Sequence, residues 1–262
     1  MNIASRKHSQ YAVVVVFGIV ALTPFLLLGI SSIAANWRFP SVLPSEFTLR
    51  AWSYLGSSAS GVLPSVGNSV GIAFIVTILA VLISLPAARV LALNRFRGKR
   101  VIMFLLILPI LSPSFAVASG SHALFLRYGL ADSLAGVIAS HLVPTIPYCV
   151  LLLIGSFTRL DTDFEDQARS LGASPLAVFR HVTFPAIAPG MAIAAAFAFL
   201  ISWSQYLTTL FVGGGKIQTL PLTLVSFQRS SDDAVTAALT LTFALPAVII
   251  FMVVAGFFKN ES

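Results

Sequence analysis

Long apolar stretches alternate with short polar ones along the whole chain. Six apolar runs fall at 11–35, 67–93, 101–120, 134–157, 187–212 and 236–258. Each reaches the length of about 20 residues that a helix needs to cross roughly 30 Å of hydrocarbon. No Asp or Glu lies inside any of them. The polar segments between them collect the charge, most densely at Arg95, Arg97, Lys99 and Arg100. This pattern predicts an all-α integral membrane protein of six transmembrane helices, organised as a single transmembrane domain over 1–262. Arg6 and Lys7 ahead of the first run also fit a secretory signal, with Ser32-Ile33-Ala34 as its cleavage site. A signal core is usually about 7 to 15 residues long, and this run continues well past that length, so a retained helix is expected.

Composition supports the membrane assignment. Of 262 residues, 57% are hydrophobic and 10% charged, with a mean hydropathy of +0.94. A soluble globular domain carries about 25% charged residues, so water cannot be the solvent on every side. Disordered, collagen-like and coiled-coil chains are excluded by the same figures. The single cysteine, Cys149, can form neither an internal disulfide nor a cysteine metal cage.

The net charge of +7 suits either nucleic acid or a membrane surface, and its placement decides. With the N-terminus inside, Arg6, Lys7, Arg89, Arg95, Arg97, Lys99, Arg100, Arg159, Arg169, Arg180 and Lys259 fall on the cytoplasmic side. Arg38, Arg50, Arg127, Lys216 and Arg229 fall outside, a division of eleven against five. This is the bias expected of cytoplasmic loops, and it puts both termini in the cytoplasm. A nucleic-acid groove needs a longer basic surface than the 95–100 run between two spans.

Between the fourth and fifth runs, residues 159–185 carry the most local information. Thr162 and Glu165 have the spacing of a capping box, and Asp163, Glu165 and Asp166 suit the positive end of a helix dipole. Phe164, Ala168 and Leu171 then recur on one helical face. Gly172 fits a left-handed helix end, Ser174 fits the cap of a second helix, and Pro175 fits its first turn. Pro185 is expected to break the helix before the fifth span. A calcium loop is excluded, because its sixth and twelfth positions require Gly and Glu and here hold Asp166 and Gly172. The pattern predicts two short amphipathic helices joined by a glycine turn, a shape suited to docking another protein. Connections between packed helices are normally about 2 to 8 residues, so a plain connector explains this segment poorly.

The stretch from Asp166 to Gly172, followed by Val182-Thr183-Phe184-Pro185, resembles the cytoplasmic EAA signature of ABC importer permeases. That signature reads Glu-Ala-Ala, three residues, Gly, nine residues, Ile-x-Leu-Pro. Asp166 stands for Glu, Gln167 for the first Ala, Val182 for Ile and Phe184 for Leu, while Ala168, Gly172 and Pro185 are retained. The likeness continues through Asn68-Ser69, Pro86-Ala87-Ala88, Arg95-Phe96-Arg97-Gly98-Lys99, Pro109 and Pro113, and extends over about 65–258. His141 with Pro147-Tyr148 is similar to the branch that handles polyamines, ferric iron and thiamine.

The resemblance implies a permease subunit of the bacterial inner membrane. Glu165, Asp166, Gln167, Ala168, Gly172, Val182, Phe184 and Pro185 would form its coupling helix against a cytoplasmic ABC ATPase dimer. It implies no cofactor in this chain, with ATP hydrolysed by the partner subunit. A second permease subunit, favoured as a heterodimer over a homodimer, and an extracytoplasmic solute-binding protein would complete the assembly. The solute would be a polyamine or a similar small polar or cationic compound.

The remaining motifs fit this expectation. A phosphate-binding loop requires Gly-x-x-x-x-Gly-Lys-Ser/Thr, whereas Gly213-Gly214-Gly215-Lys216 is followed by Ile217 and has Leu210 in the first glycine's place; it reads as an extracytoplasmic turn. An ion-coupled carrier would commonly hold Asp or Glu within the bilayer. A membrane-embedded serine hydrolase would need a positioned Ser and His pair with an oxyanion site, and no nucleophile signature accompanies the chain's serines and histidines. In the fifth run, Ser202, Gln205, Tyr206 and Thr209 recur on one helical face. Together with His141 they are candidates for the translocation pathway, with hydrogen bonding between helices as the alternative.

Overall fold

In a computed structural model, the described residues are 3–35, 37, 41–230 and 232–259. Arg38 lies outside them, as do the side chains of Arg6, Lys7 and Lys259. The described residues are predominantly helical, because hydrocarbon offers the backbone no partner and each spanning segment must satisfy its own N–H and C=O groups. Among them, five helical segments are long and apolar enough to cross a membrane. They are Val15–Ile33 within α1 (Ile3–Ile33), α3 (Val62–Leu93), α6 (Leu134–Phe157), the run Pro175–Trp203, and Asp233–Val254 within α12 (Asp233–Lys259).

The expected third span is two helices. α4 (Lys99–Leu111) and α5 (Ser114–Arg127) meet at 103°, and the count of spans reaches six only if this bent pair is one of them. Pro113 gives the physical reason, since a residue before proline is driven out of helical conformation. Ser112 is accordingly extended, with φ −77° and ψ 142°.

The fifth span departs from expectation at both ends. Pro185 does not break it. After α7 (Asp163–Ser170) and α8 (Pro175–Val178), a π-turn over Phe179–Thr183 runs directly into α9 (Phe184–Trp203). There the N–H of Phe184 reaches back to the carbonyl of Phe179. Pro185 stands at the start of α9, where a proline's missing N–H and fixed φ are tolerated. At the other end α9 stops at Trp203, and α10 (Leu207–Gly213) begins only after Ser204–Tyr206. The hydroxyls of Ser204 and Thr209 bond to the carbonyls of Ile201 and Gln205, local bonding that competes with the helical ladder.

The chain forms two compact units. The first, residues 1–65 and 223–249, holds a small antiparallel ladder that the apolar pattern did not predict, β1 (Ala34–Ala35) against β2 (Glu46–Phe47). It also holds α2 (Arg50–Gly56) and a 3-10 turn at Ser58–Ser60. Trp52 donates its indole N–H to Ser32 at 3.2 Å, tying α2 to α1. Arg50 pairs with Asp232 at 2.9 Å. Tyr54 meets Phe227 of α11 (Leu220–Gln228) edge to face.

The second unit, 66–222 with 250–262, is built around α6, which packs against α9, α10, α4 and α5. Its main core joins Ala88, Leu91, Val150, Leu153, Phe157, Ile187 and Ala194. Helices in lipid gain little from hydrophobic exclusion and associate through close packing, which favours small residues at their contacts. Gly190 illustrates this. A Cβ placed there would lie 1.7 Å from Ser156 Oγ, so α6 and α9 approach as closely as they do only because that atom is missing.

Candidate functional site

The predicted docking segment folds as two short helices around a left-handed glycine. Gly172 has φ +87° with open space around it, so its role is conformational rather than steric. Ser174 caps α8 by accepting the N–H of Ala177 at 3.3 Å. The expected capping box at Thr162 does not form: Thr162 makes no side-chain cap bond. Asp161 accepts the N–H of Asp163 instead, and Glu165 is committed elsewhere.

Glu165 is buried at 1% relative exposure. Its carboxylate accepts two hydrogen bonds from Arg89, at 2.9 and 2.5 Å. Arg169 donates at 3.1 Å, and the Thr183 hydroxyl donates at 2.5 Å. Bidentate, charge-assisted bonding of this kind is stronger and more directional than a neutral hydrogen bond. The Arg89 hydrogen bonds outweigh the opposing effect of burial and, with Thr183 and Arg169, hold the Glu165 carboxyl at about 2. Arg89 also lies over the Phe157 ring, 5.9 Å from its centroid. One buried carboxylate therefore joins α7 to the C-terminal part of α3 and to the π-turn leading into α9.

This inward direction differs from the surface role expected of Glu165. The other expected coupling residues divide in a consistent way. Asp166, Gln167 and Gly172 are exposed, Ala168 is half-buried, and the apolar side chains of Phe164, Leu171 and Leu176 face solvent at 59%, 89% and 74% exposure. Asp166 and Gln167 line a shallow concavity with Asp163, Ser170 and Leu171. Val182 and Pro185 line a separate cleft with Phe164, Leu160 and His181. Phe184 is partly exposed and packs edge to face with Phe179. Arg89 and Thr183 were not singled out from the sequence. The signal was present for the first, because Arg89 is the only Lys or Arg inside the six apolar runs, and a charge in such a run needs a partner.

The expected pathway residues meet across the break between α9 and α10. His141 of α6 bonds through Nδ1 to Ser202 Oγ and through Nε2 to Thr209 Oγ1, both at 2.9 Å. The Thr209 hydroxyl donates to the Gln205 carbonyl, so it accepts from Nε2–H, and the chain of bonds closes if Ser202 donates to Nδ1. All three side chains are buried, whereas Gln205 and Tyr206 are half-buried within the break. Gln205 Oε1 accepts the Thr208 hydroxyl at 2.8 Å. The stripe expected on one continuous helix is thus divided between the ends of two helices and the turn joining them. Of Gly213-Gly214-Gly215-Lys216, the first ends α10 and the other three form the turn after it, with Gly214 and Gly215 left-handed.

Comparison with known proteins places this arrangement. The family described as "Binding-protein-dependent transport system inner membrane component" matches residues 80–260. The molybdenum transport system permease protein ModB of Mycobacterium tuberculosis is 32% identical over 191 residues, 67% of this chain and 72% of that protein. The trehalose transport system permease protein SugB of the same species is 29% identical, over 71% of this chain and 70% of that one. The spermidine/putrescine transport system permease protein PotC of Escherichia coli is 26% identical over 228 residues, 86% of this chain and 83% of that protein. Among solved structures, a bacterial ABC transporter importing the acidic polysaccharide alginate superposes with a TM-score of 0.75. It is 20% identical, with 98% of this chain and 99% of that one covered, which shows a shared fold. The chain belongs to the binding-protein-dependent transport system inner membrane component family, the permease subunits of ABC importers.

Proposed function

We propose that this permease carries its solute through the bilayer by alternating access, driven through the segment 163–183 by a separate cytoplasmic ATPase dimer that hydrolyses the ATP. The observation that carries the reading is the division of that segment. Its outward face presents Phe164, Leu171 and Leu176 to solvent, while Glu165 fastens its inward face to α3 and the root of α9. A partner seated on the outward face can therefore move two membrane helices through one buried ion pair. The termini lie on the cytoplasmic side. A second permease subunit, favoured as a heterodimer partner, completes the path. A solute-binding protein delivers the solute from outside; a related fold is known in complex with an alginate-bound periplasmic protein. We take the solute to be a polyamine or a similar small polar or cationic compound, a reading supported by the long alignment with PotC. Uptake of labelled spermidine by cells expressing the complete transporter, with trehalose and molybdate as competitors, tests the solute class. Competition by either of those alone would redirect it.

His141, Ser202, Gln205, Tyr206 and Thr209 are assigned to the pathway at the helix break. Half-buried Gln205 and Tyr206 would meet the solute, and the buried triad would hold the break in shape. Gln205→Ala should lower uptake while leaving assembly intact. Unchanged uptake with normal assembly would remove the pathway role.

A further inference from the structure

The loop between α3 and α4, with the first turn of α4, holds a concentration of charge that neither the coupling segment nor the pathway uses. Arg95, Arg97, Lys99 and Arg100 fall within six consecutive positions, and no carboxylate pairs with any of them among the described residues. Four other cations are paired, Arg50 with Asp232, Arg89 and Arg169 with Glu165, and Lys216 with Asp132; among the described residues Arg127, Arg159, Arg180 and Arg229 have no carboxylate partner either, but each stands apart from other Lys and Arg in the sequence. Lys99 donates to the Asn94 carbonyl at 3.1 Å, which closes the loop on itself and leaves ammonium protons free. Arg95, Lys99 and Arg100 line a cleft whose remaining walls include Phe96, Val101 and Met103. The cleft opens onto α4, a helix with no buried residue, along which Val101, Ile102, Phe104, Leu105 and Leu111 are exposed.

We propose that this loop is a binding site for an anionic phospholipid, with the headgroup phosphate held by Arg95, Lys99 and Arg100 and the acyl chains lying along α4. Basic clusters directly beside a membrane helix attract anionic headgroups, and guanidinium groups bind phosphate oxygens in a directional, bidentate manner. The apolar walls favour a lipid over an acidic protein surface. An acidic protein surface would pair with the cations but set its polar groups against Phe96 and Val101, where they would lose water without gaining hydrogen bonds, whereas an acyl chain meets those walls with hydrocarbon. The site lies at the end of a membrane-spanning helix, Val62–Leu93, where a headgroup and its chains are both within reach.

The test uses the purified full chain in detergent. Native mass spectrometry would compare retention of phosphatidylglycerol with that of phosphatidylcholine bearing identical acyl chains. Wild type should retain phosphatidylglycerol preferentially. The triple variant Arg95→Gln, Lys99→Gln, Arg100→Gln should lose that preference by about tenfold or more, whereas Arg159→Gln with Arg180→Gln should keep it. The triple variant still leaves eight inside cations against five outside, so the bias that sets topology survives. If it fails to fold, the single variant Arg100→Gln and the salt dependence of wild-type retention provide the same test. Competition by inorganic phosphate alone, without loss of lipid specificity to match the acyl chains, would make the ligand free phosphate and overturn the assignment. Equal loss in the Arg159 and Arg180 variant would show diffuse electrostatics. Loss of ATPase copurification in the triple variant, with phosphatidylglycerol retention unchanged, would make the loop a protein contact. Each of these last two results also contradicts the proposal.

Discussion

Replacing Glu165 by Gln keeps the length of the side chain and removes the charge shared by Arg89, Arg169 and Thr183. Hydrogen bonds to charged groups contribute about 1.5 to 3 kcal/mol each, and Arg89 remains partly solvated, so the expected destabilisation lies near the lower end of that range. Thermal unfolding of the purified chain measures it. Acid provides a second reading. The Glu165 carboxyl titrates at about 2, below the usual 4.5, chiefly because of Arg89. A depressed carboxylate stabilises the fold above its ordinary pKa, and that contribution falls away as pH drops from about 4.5 through about 2. Protease accessibility of the 163–183 segment should rise across this window in wild type, and the Glu165-dependent part of the rise should vanish in Glu165→Gln. At His141, replacement by Leu leaves Ser202 and Thr209 without their shared partner. Polar contacts between membrane helices average about 0.6 kcal/mol and reach about 1.7, so a modest loss of stability is expected, with a larger effect on uptake if the break must hold its shape.

Two elements carry the mechanical argument. At Gly172, an L-residue in the left-handed region costs about 1 to 2 kcal/mol, and Asn tolerates that region better than a β-branched side chain does. Gly172→Val should therefore uncouple ATP hydrolysis from uptake or weaken ATPase copurification, while Gly172→Asn should retain both. Equal behaviour of the two variants would remove the conformational role. At the α6–α9 contact, Gly190→Ala would place a methyl group onto Ser156 Oγ and force the helices apart; Ser156→Gly in the same chain should restore thermal stability, because it removes both atoms that the new methyl meets. The sequence showed the glycine turn and the Ser174 cap, because each depends on neighbouring residues alone. It could not show that Glu165 abandons Thr162 for Arg89, a partner 76 positions away. Nor did it show that Pro185 would be carried into a helix by the π-turn, or that the fifth run would break at Ser204–Tyr206. Apolar periodicity reports which solvent a residue faces, and helix breaks inside hydrocarbon leave that signal almost unchanged.

At the level of the whole molecule, hydropathy and charge were sufficient for the membrane class, and spacing at 166–185 for the family. Four of the six predicted runs correspond to unbroken spanning segments, in α1, α3, α6 and α12. The third is bent at Pro113, and the fifth extends back to Pro175 and ends early at Trp203. The central claim is that the outward face of 163–183 is where the ATPase acts. Cross-linking tests it most directly. Cys149 is the chain's only cysteine and is buried, so Gln167→Cys, Leu171→Cys and Phe96→Cys can each be introduced against a quiet background in membranes containing the complete transporter. The account predicts cross-links from positions 167 and 171 to the ATPase that change in yield when ATP is bound, and none from position 96. Cross-links from position 96 with none from 167 or 171 would contradict it.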